Sequence, residues 1–209
     1  MFKQVVMTAF GGTEVLANTV CKRKDLKDGE VRLKVHAAAV NPIDAKIRQG
    51  SSFVCKQRLA DPFPWGLGFD VAGEVMESKD PAFKSGDRLA ASVGTPYHPA
   101  AYAEEAIVRK EHCMLLPKDI SYEQGAALIT AGLTALSILH SFKNERKILV
   151  SGGSGGVGHL LVQYLQGSGF EVSASCSEAS RAFLSQYVKE IFDYKEDLEK
   201  KYSQTFDAA

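Results

Sequence analysis

A glycine-rich turn between a strand-like and a helix-like segment constrains this sequence more than any other feature. The apolar residues 148–150 run directly into it, and apolar residues recur at helical spacing after it, up to residue 165. Two dinucleotide-binding spacings fit the turn, G-x-G-x-x-G beginning at Gly153 and G-x-x-G-x-x-G beginning at Gly152. Both spacings predict a strand, a tight turn and a helix that packs closely on the strand.

The same turn predicts where a phosphate group would bind. Glycine lets the backbone approach a pyrophosphate, and the free N–H groups and positive dipole end of the following helix face the anion. We expect the pyrophosphate to be lined by Ser154, Gly155, Gly156 and Val157. The alternative is a glycine-rich turn that binds nothing, and the flanking strand and helix favour the dinucleotide site.

The remaining pattern divides the chain into two parts. Residues 3–9, 30–40, 71–77, 88–93, 102–108 and 113–116 have strand-like composition, with a short helix after Asn41 and a Pro- and Gly-rich loop over 61–68. A capping box at Ser121 and Gln124 opens a helix that runs to residue 139. Strands are predicted at 171–175 and 191–193, a helix at 178–187, and the beginning of a fourth strand at 205–209. We therefore predict an α/β chain with a β-barrel-like domain over 1–118 and part of a doubly wound parallel sheet over 119–209.

Charge and cysteine content indicate which kinds of partner and which cellular compartment to expect. The chain has 25 basic and 25 acidic residues among 209, a balance that gives no reason to expect nucleic acid or a membrane surface as a partner. Its four cysteines are scattered without paired spacing, and the N-terminus has no apolar targeting segment. These features predict reduced thiols in a cytoplasmic protein.

Several segments, in this order, resemble the zinc-independent quinone oxidoreductase branch of the medium-chain dehydrogenase/reductase family. The matching segments lie at residues 10–12, 39–44, 70–75, 86–88, 131–136, 152–158 and 192–194. The resemblance implies a GroES-like substrate domain over 1–118, the first part of a Rossmann domain over 119–209, and an active site between the two domains. It also implies a small-molecule carbonyl or quinone substrate, and it leaves a homodimer open.

The resemblance also assigns individual residues. Asn41 and Asp44 are candidates for the catalytic site, with Asn41 bonded to the nicotinamide ribose or to a substrate oxygen and Asp44 orienting Asn41. Asn41, Thr130 and Tyr194 are expected to contact the cofactor, with Tyr194 against its adenosine part. Zinc-dependent relatives have a cysteine in place of Asn41 and a histidine in place of Phe69, so we expect no metal. The five histidines, His98 among them, are predicted not to bind one.

The choice between NADPH and NADH depends on the end of the second strand of the parallel sheet. Ser177 and Arg181 suit a ribose 2′-phosphate, because arginine offers charge and planar donors to phosphate oxygens. Glu178 is opposing evidence, since an acidic side chain near this spacing binds the ribose diol of NAD. We predict NADPH over NADH, and the alternative for Arg181 is an ordinary solvated helix face.

The predicted reaction is hydride transfer from NADPH to a quinone or an α,β-unsaturated carbonyl. Members of the family continue beyond the point that corresponds to Ala209, so we expect the 209-residue chain to bind nucleotide weakly and to turn over slowly. Two alternatives stay open. One is a family member without catalysis that keeps at most nucleotide binding, and the other is a reductase of carrier-bound acyl chains.

Overall fold

A computed structural model describes residues 1–94, 100–197 and 205–208. Within them the chain forms two compact units, Met1–Thr130 and Ala131–Ala209, and the division falls inside one helix. His98, which was predicted not to bind a metal, and Ala209, the last residue of the predicted fourth strand, lie outside the described residues. No described helix is long and apolar enough to cross a bilayer. The assignment of domains to 1–118 and 119–209 stays a prediction.

The first unit is built from antiparallel strands with two short helices. Its elements are β1 (Phe2–Met7), β2 (Leu16–Cys21), β3 (Glu30–Ala39), α1 (Pro42–Arg48), α2 (Phe53–Gln57), β4 (Trp65–Gly66), β5 (Asp70–Ser78), β6 (Arg88–Ser92), β7 (Glu105–Arg109), β8 (Cys113–Leu115) and the beginning of α3 (Tyr122–Leu139). The strands form a five-stranded sheet in the order β7-β3-β5-β6-β8 and a three-stranded sheet in the order β2-β1-β4.

Alternating side chains of the five-stranded sheet fill the main core of the first unit. Val31 and Leu33 of β3 and Val71 of β5 are fully buried there. A second cluster lies around Trp65, where Met7 and Ile47 pack beneath the three-stranded sheet and α1. The two clusters explain why the predicted strand periodicity holds through this unit.

The second unit is the beginning of a doubly wound sheet. Its elements after α3 are β9 (Lys147–Val150), α4 (Gly158–Gly167), β10 (Glu171–Cys176), α5 (Glu178–Leu184) and β11 (Ile191–Asp193). The strands are parallel in the order β11-β10-β9, and a parallel bridge joins Ile148 to Ala208 on the other side of β9. The sequence prediction of a two-part α/β chain, with 148–150 as the first parallel strand, is confirmed.

Several predicted boundaries are wrong, and three elements were not predicted. Strand β7 begins at Glu105 rather than residue 102, because the backbone of Tyr102 bonds the backbones of Leu67 and Val5. Helix α5 ends at Leu184, three residues before the predicted end. The predicted loop over 61–68 contains β4, which pairs with only two residues of β1. Strand β2 and helix α2 were missed, since β2 is largely exposed and α2 has only five residues.

Candidate functional site

The glycines of the turn after β9 have two distinct roles. Gly152 has a φ of +68°, which only glycine adopts without strain, and a side chain at Gly153 would lie 2.7 Å from Ala174 Cβ. At Gly158 a Cβ would clash with the carbonyl oxygen of Gly152. These three glycines let the turn fold tightly between β9, β10 and α4.

The other two glycines leave the outer side of the turn open. Gly155 and Gly156 are exposed, and a Cβ at Gly156 would meet no heavy atom within 4 Å. The open side precedes α4, a helix of 10 residues. A ligand could therefore approach the backbone of the predicted pyrophosphate residues, Ser154 to Val157, without moving any side chain.

The structure brings three of the predicted cofactor segments to one edge of the parallel sheet. The glycine turn follows β9, Ser177 follows β10 and Tyr194 follows β11. The Ser175 hydroxyl oxygen accepts a hydrogen bond from Gly152 N–H at 3.2 Å, and the Tyr194 N–H donates to Cys176 carbonyl oxygen at 3.1 Å. This is the carboxyl edge, where ligands bind in open α/β sheets.

The predicted phosphate-binding residues are partly engaged by the protein itself. Arg181 Nε donates to Glu178 Oε2 at 3.0 Å, and its Nη1 donates to the Ile191 carbonyl oxygen at 3.0 Å. Ser177 occupies the N-cap position of α5, but its hydroxyl bonds Ser180 Oγ rather than a backbone N–H. Glu178 thus competes directly for the guanidinium that was predicted to read a 2′-phosphate.

A polar cluster in the first unit contains the other predicted site residues. Asp70, the first residue of β5, is fully buried. Its Oδ2 accepts hydrogen bonds from Asn41 Nδ2 at 2.9 Å and from the Thr130 N–H at 3.1 Å, and its Oδ1 accepts from the Thr130 hydroxyl at 2.7 Å. Asn41 and Thr130 are half-buried, so both reach the surface of the cluster.

Asp44 takes part in this cluster through the backbone of α1. Its Oδ2 accepts from the Asn41 N–H at 2.8 Å and from the Tyr102 hydroxyl at 2.8 Å. Asp70 holds the amide of Asn41, whereas Asp44 bonds the backbone of Asn41 and fixes the beginning of α1. That Asp44 orients Asn41 stays a prediction.

Burial is the largest cause of a raised pKa at two residues of this cluster, Asp44 and Tyr102. Burial raises the pKa of Asp44 above its ordinary value, and the nearby charge of Asp70 raises it further, against the hydrogen bonds from Asn41 and Tyr102. Burial and the hydrogen bond to Asp44 likewise raise the pKa of Tyr102. The Tyr102 hydroxyl therefore stays protonated and remains a donor.

Asp70 and Tyr102 are site residues that sequence reasoning missed. The signal for Asp70 was a carboxylate directly before the uncharged residues 71–73 of a predicted strand, where burial of a charge requires several donors. Tyr102 carried no comparable signal, since an aromatic residue is ordinary in a strand. Among the described residues, no three His, Cys, Asp or Glu side chains form a group that could hold a metal ion.

The chain is similar in sequence to proteins of a known family. Residues 27–118 match the family model of the alcohol dehydrogenase GroES-like domain. A chloroplastic quinone-oxidoreductase homolog of Spinacia oleracea is 37% identical over 196 residues, which is 88% of this chain and 58% of the relative. The chloroplastic NADPH-dependent alkenal/one oxidoreductase of Arabidopsis thaliana is 34% identical over 226 residues, 99% of this chain and 57% of the relative.

A solved structure extends the similarity to three dimensions. The quinone oxidoreductase from Coxiella burnetii superimposes with a TM-score of 0.92 at 34% identity, and the match covers 99% of this chain and 67% of that one. The chain spans less than two thirds of the length of the two plant relatives.

Proposed function

This chain belongs to the quinone oxidoreductases of the medium-chain dehydrogenase/reductase family, and from that premise we propose that it acts in zinc-independent, NADPH-dependent reduction of a quinone or an α,β-unsaturated carbonyl. The observation that carries the proposal is the open glycine turn at the carboxyl edge of a parallel sheet. The names of the Spinacia, Arabidopsis and Coxiella relatives support the reaction class, and the name of the Arabidopsis relative supports NADPH.

The second unit would hold the adenosine and pyrophosphate part of NADPH. The backbone at Ser154, Gly156 and Val157 would donate N–H groups to the phosphates, and Gly155, whose own N–H bonds the Gly152 carbonyl oxygen at 2.9 Å, would line them. Tyr194, of which 57% is exposed, would lie against the adenine, and Ser177 and Arg181 would approach the 2′-phosphate. The phosphate would compete with Glu178 for Arg181, because the guanidinium already bonds that carboxylate.

The polar cluster of the first unit would contact the nicotinamide part of NADPH or the acceptor. When bound, NADPH supplies a hydride, which is transferred to an electron-poor carbon of the acceptor, while the acceptor oxygen takes its proton from solvent. Asn41 and Thr130 would hold polar groups of the nicotinamide riboside or of the acceptor. Their task is placement, since a reaction of this kind depends on geometry more than on a protein nucleophile.

Nucleotide titration tests the proposal on the chain itself. Calorimetry with NADPH and with 2′,5′-ADP should show binding, and Gly156→Val should weaken both, because a side chain there would fill the open side of the turn. Gly167→Val is the matched control, as Gly167 lies at the far end of α4 and a Cβ there also meets no heavy atom within 4 Å.

Turnover is measured separately by following NADPH oxidation with a simple benzoquinone and with an alkenal. Binding together with turnover supports the whole proposal. Binding without turnover would favour the alternative of a family member without catalysis that keeps nucleotide binding. Absence of binding to either nucleotide would overturn the proposal.

A further inference from the structure

Two side chains of the polar cluster, Asn41 and Thr130, share one buried hydrogen-bond partner, Asp70. Asn41 donates through its amide nitrogen to Asp70, and Thr130 donates to the same carboxylate through both its hydroxyl and its backbone N–H. The three donors come from two separate elements, the beginning of α1 and the middle of α3. Asp70 is fully buried, so these donors replace the water that its charge has lost.

The shared carboxylate fixes what the two side chains can offer to a ligand. A threonine hydroxyl that donates its proton to Asp70 can only accept a further hydrogen bond. An Asn41 amide in the opposite orientation would set its carbonyl oxygen against a carboxylate oxygen, which is repulsive, so Asp70 holds the amide in one orientation. The cluster thereby offers a ligand the hydroxyl oxygen of Thr130 as an acceptor and the Asn41 amide in a single orientation.

From this geometry we propose that Asp70 is a positioning residue that sets the hydrogen-bond polarity of Asn41 and Thr130 toward the nicotinamide riboside. The inference rests on the proposed function, because it assigns a task to the cluster only if NADPH binds. The ligand groups that suit such a cluster carry donor hydrogens, namely a ribose hydroxyl or the carboxamide N–H₂ of nicotinamide. Asp44 has a different task, since it bonds the backbone of Asn41 and the hydroxyl of Tyr102.

A stability role alone does not account for this placement. A buried carboxylate is weak evidence for stability, because the cost of removing its charge from water offsets most of the gain from its partners. Asp70 begins β5 and is followed by three buried residues without charge, 71–73, so a hydrophobic residue in its place would pack without that cost. Two of the three hydrogen bonds that Asp70 accepts come from side chains that also reach the surface, as expected for a residue that directs them.

The decisive variant is Asp70→Asn, which keeps the shape of the side chain but replaces one acceptor oxygen by a donor. That donor would face the amide of Asn41 or the donors of Thr130, so the orientation of both would change. We expect the affinity for NADPH to fall by at least about tenfold, and the affinity for 2′,5′-ADP, which lacks the nicotinamide riboside, to stay within about twofold. The melting temperature is recorded for every variant.

Asp80→Asn is the matched control. Asp80 is a second buried carboxylate of the same unit, 7% exposed, and it accepts from the Ala82 N–H at 2.9 Å and pairs with Lys110 Nζ at 3.0 Å. Its replacement should lower stability without changing the ratio of the two affinities. A second pair of variants covers the case in which Asp70→Asn does not fold. Thr130→Val should lose NADPH affinity selectively, and Thr130→Ser, which keeps the hydroxyl, should restore it.

The possible outcomes separate the two proposals. If the unaltered chain binds neither nucleotide, the proposed function fails and this inference fails with it. If both nucleotides bind and Asp70→Asn or Thr130→Val keeps the full NADPH affinity, only the inference is wrong. A parallel loss of NADPH affinity, 2′,5′-ADP affinity and melting temperature would show that Asp70 is merely structural, which also overturns the inference.

Discussion

The polar cluster contains two buried carboxyl groups, Asp70 and Asp44, which differ in how many hydrogen bonds they accept. Asp70 receives three hydrogen bonds, whereas the buried Oδ1 atom of Asp44 has no hydrogen-bond partner among the described residues. The ionised form of Asp44 is therefore the less well compensated of the two. This asymmetry is the physical reason why burial is the largest cause of the raised pKa of Asp44.

The raised pKa of Asp44 predicts how stability depends on pH. The folded chain holds the Asp44 proton more tightly than the unfolded chain, whose carboxyl has a pKa near the ordinary value of 3.8. The contribution of Asp44 to stability is thus complete below that value and is lost as the pH rises through the folded pKa. The free energy of unfolding of the unaltered chain should fall relative to that of Asp44→Asn as the pH rises above about 4. Urea titrations of both proteins from that pH upward measure the difference, and a constant difference would contradict the prediction.

Gly68 should be irreplaceable because of Tyr102. Its φ is +82°, and a Cβ there would lie 2.5 Å from Cε1 of Tyr102 and 2.9 Å from Ala101 Cβ. We expect Gly68→Ala to cost about 3 kcal/mol in the free energy of unfolding, from backbone strain and overpacking together. Gly86→Ala is the control, since Gly86 has a φ of +89° but open space around it, and only the strain of about 1 kcal/mol should remain. Urea unfolding compares the two, and equal losses would show that the Tyr102 contact does not matter.

Glu178 should weaken the preference for NADPH. The carboxylate holds Arg181 Nε at 3.0 Å, so a 2′-phosphate must displace it. Glu178→Gln should raise the ratio of NADPH affinity to NADH affinity, and Arg181→Ala should lower the NADPH affinity by about tenfold more than the NADH affinity. Calorimetry with both nucleotides gives these ratios. Equal losses of both affinities in Arg181→Ala would mean that Arg181 does not contact the phosphate.

At the scale of helices and strands, the sequence predicted those features that a few neighbouring residues determine. The apolar run before the glycines, the capping box at Ser121 and Gln124, and the helix after Asn41 all form as predicted. Each of these signals is contained in a few neighbouring residues. The carboxyl edge of the parallel sheet also follows from the pattern, because parallel strands bring their ends together.

The elements that were missed depend on contacts between distant residues. Strand β2 forms because all six of its residues pair with β1, although it has no buried face of its own. The hydrogen bond between Asp70 and Thr130 joins residues 60 positions apart, and the one between Asp44 and Tyr102 joins residues 58 apart. No periodicity in one sequence encodes such pairs, and the candidate site was therefore predicted residue by residue but not as a network.

The junction between the glycine turn and α4 should be the most sensitive point of the second unit. A Cβ at Gly158 would clash with the Gly152 carbonyl oxygen and lie 2.9 Å from Gly153 Cα, and backbone atoms cannot move aside as side chains do. Gly158→Ala should cost about 3 kcal/mol. Gly167→Ala, at the open end of the same helix, should instead stabilise by up to about 1 kcal/mol. Chemical unfolding of the two variants checks the opposite signs, and a loss in both would count against the steric explanation.

For the whole molecule, the central fact is that each unit has a core of its own. The first unit buries clusters around Val31 and Trp65, and the second buries one around Ile148 and Leu165. Helix α3 contributes Ala126 and Ile129 to a cluster of the first unit and Ala135 to the core of the second. A chain with separate cores need not unfold in a single step, so one free energy of unfolding does not have to describe both units.

A nucleotide should therefore stabilise the second unit selectively. The proposed 2′,5′-ADP site lies entirely on that unit, and a ligand at a hundred times its dissociation constant adds about 2.7 kcal/mol to the state that binds it. Trp65, the only tryptophan of the chain, is buried in the first unit and reports on it by fluorescence. Amide hydrogen exchange in β9 and α4 reports on the second unit.

Saturating 2′,5′-ADP should slow exchange in β9 and α4 and leave the urea midpoint of Trp65 fluorescence unchanged. In Gly156→Val the protection should disappear, which excludes an effect of the nucleotide on the solvent. Equal stabilisation seen by both probes would mean that the two cores unfold as one cooperative unit. In that case the destabilisation by Gly158→Ala should also appear in the Trp65 transition, and this second measurement decides between one cooperative unit and two.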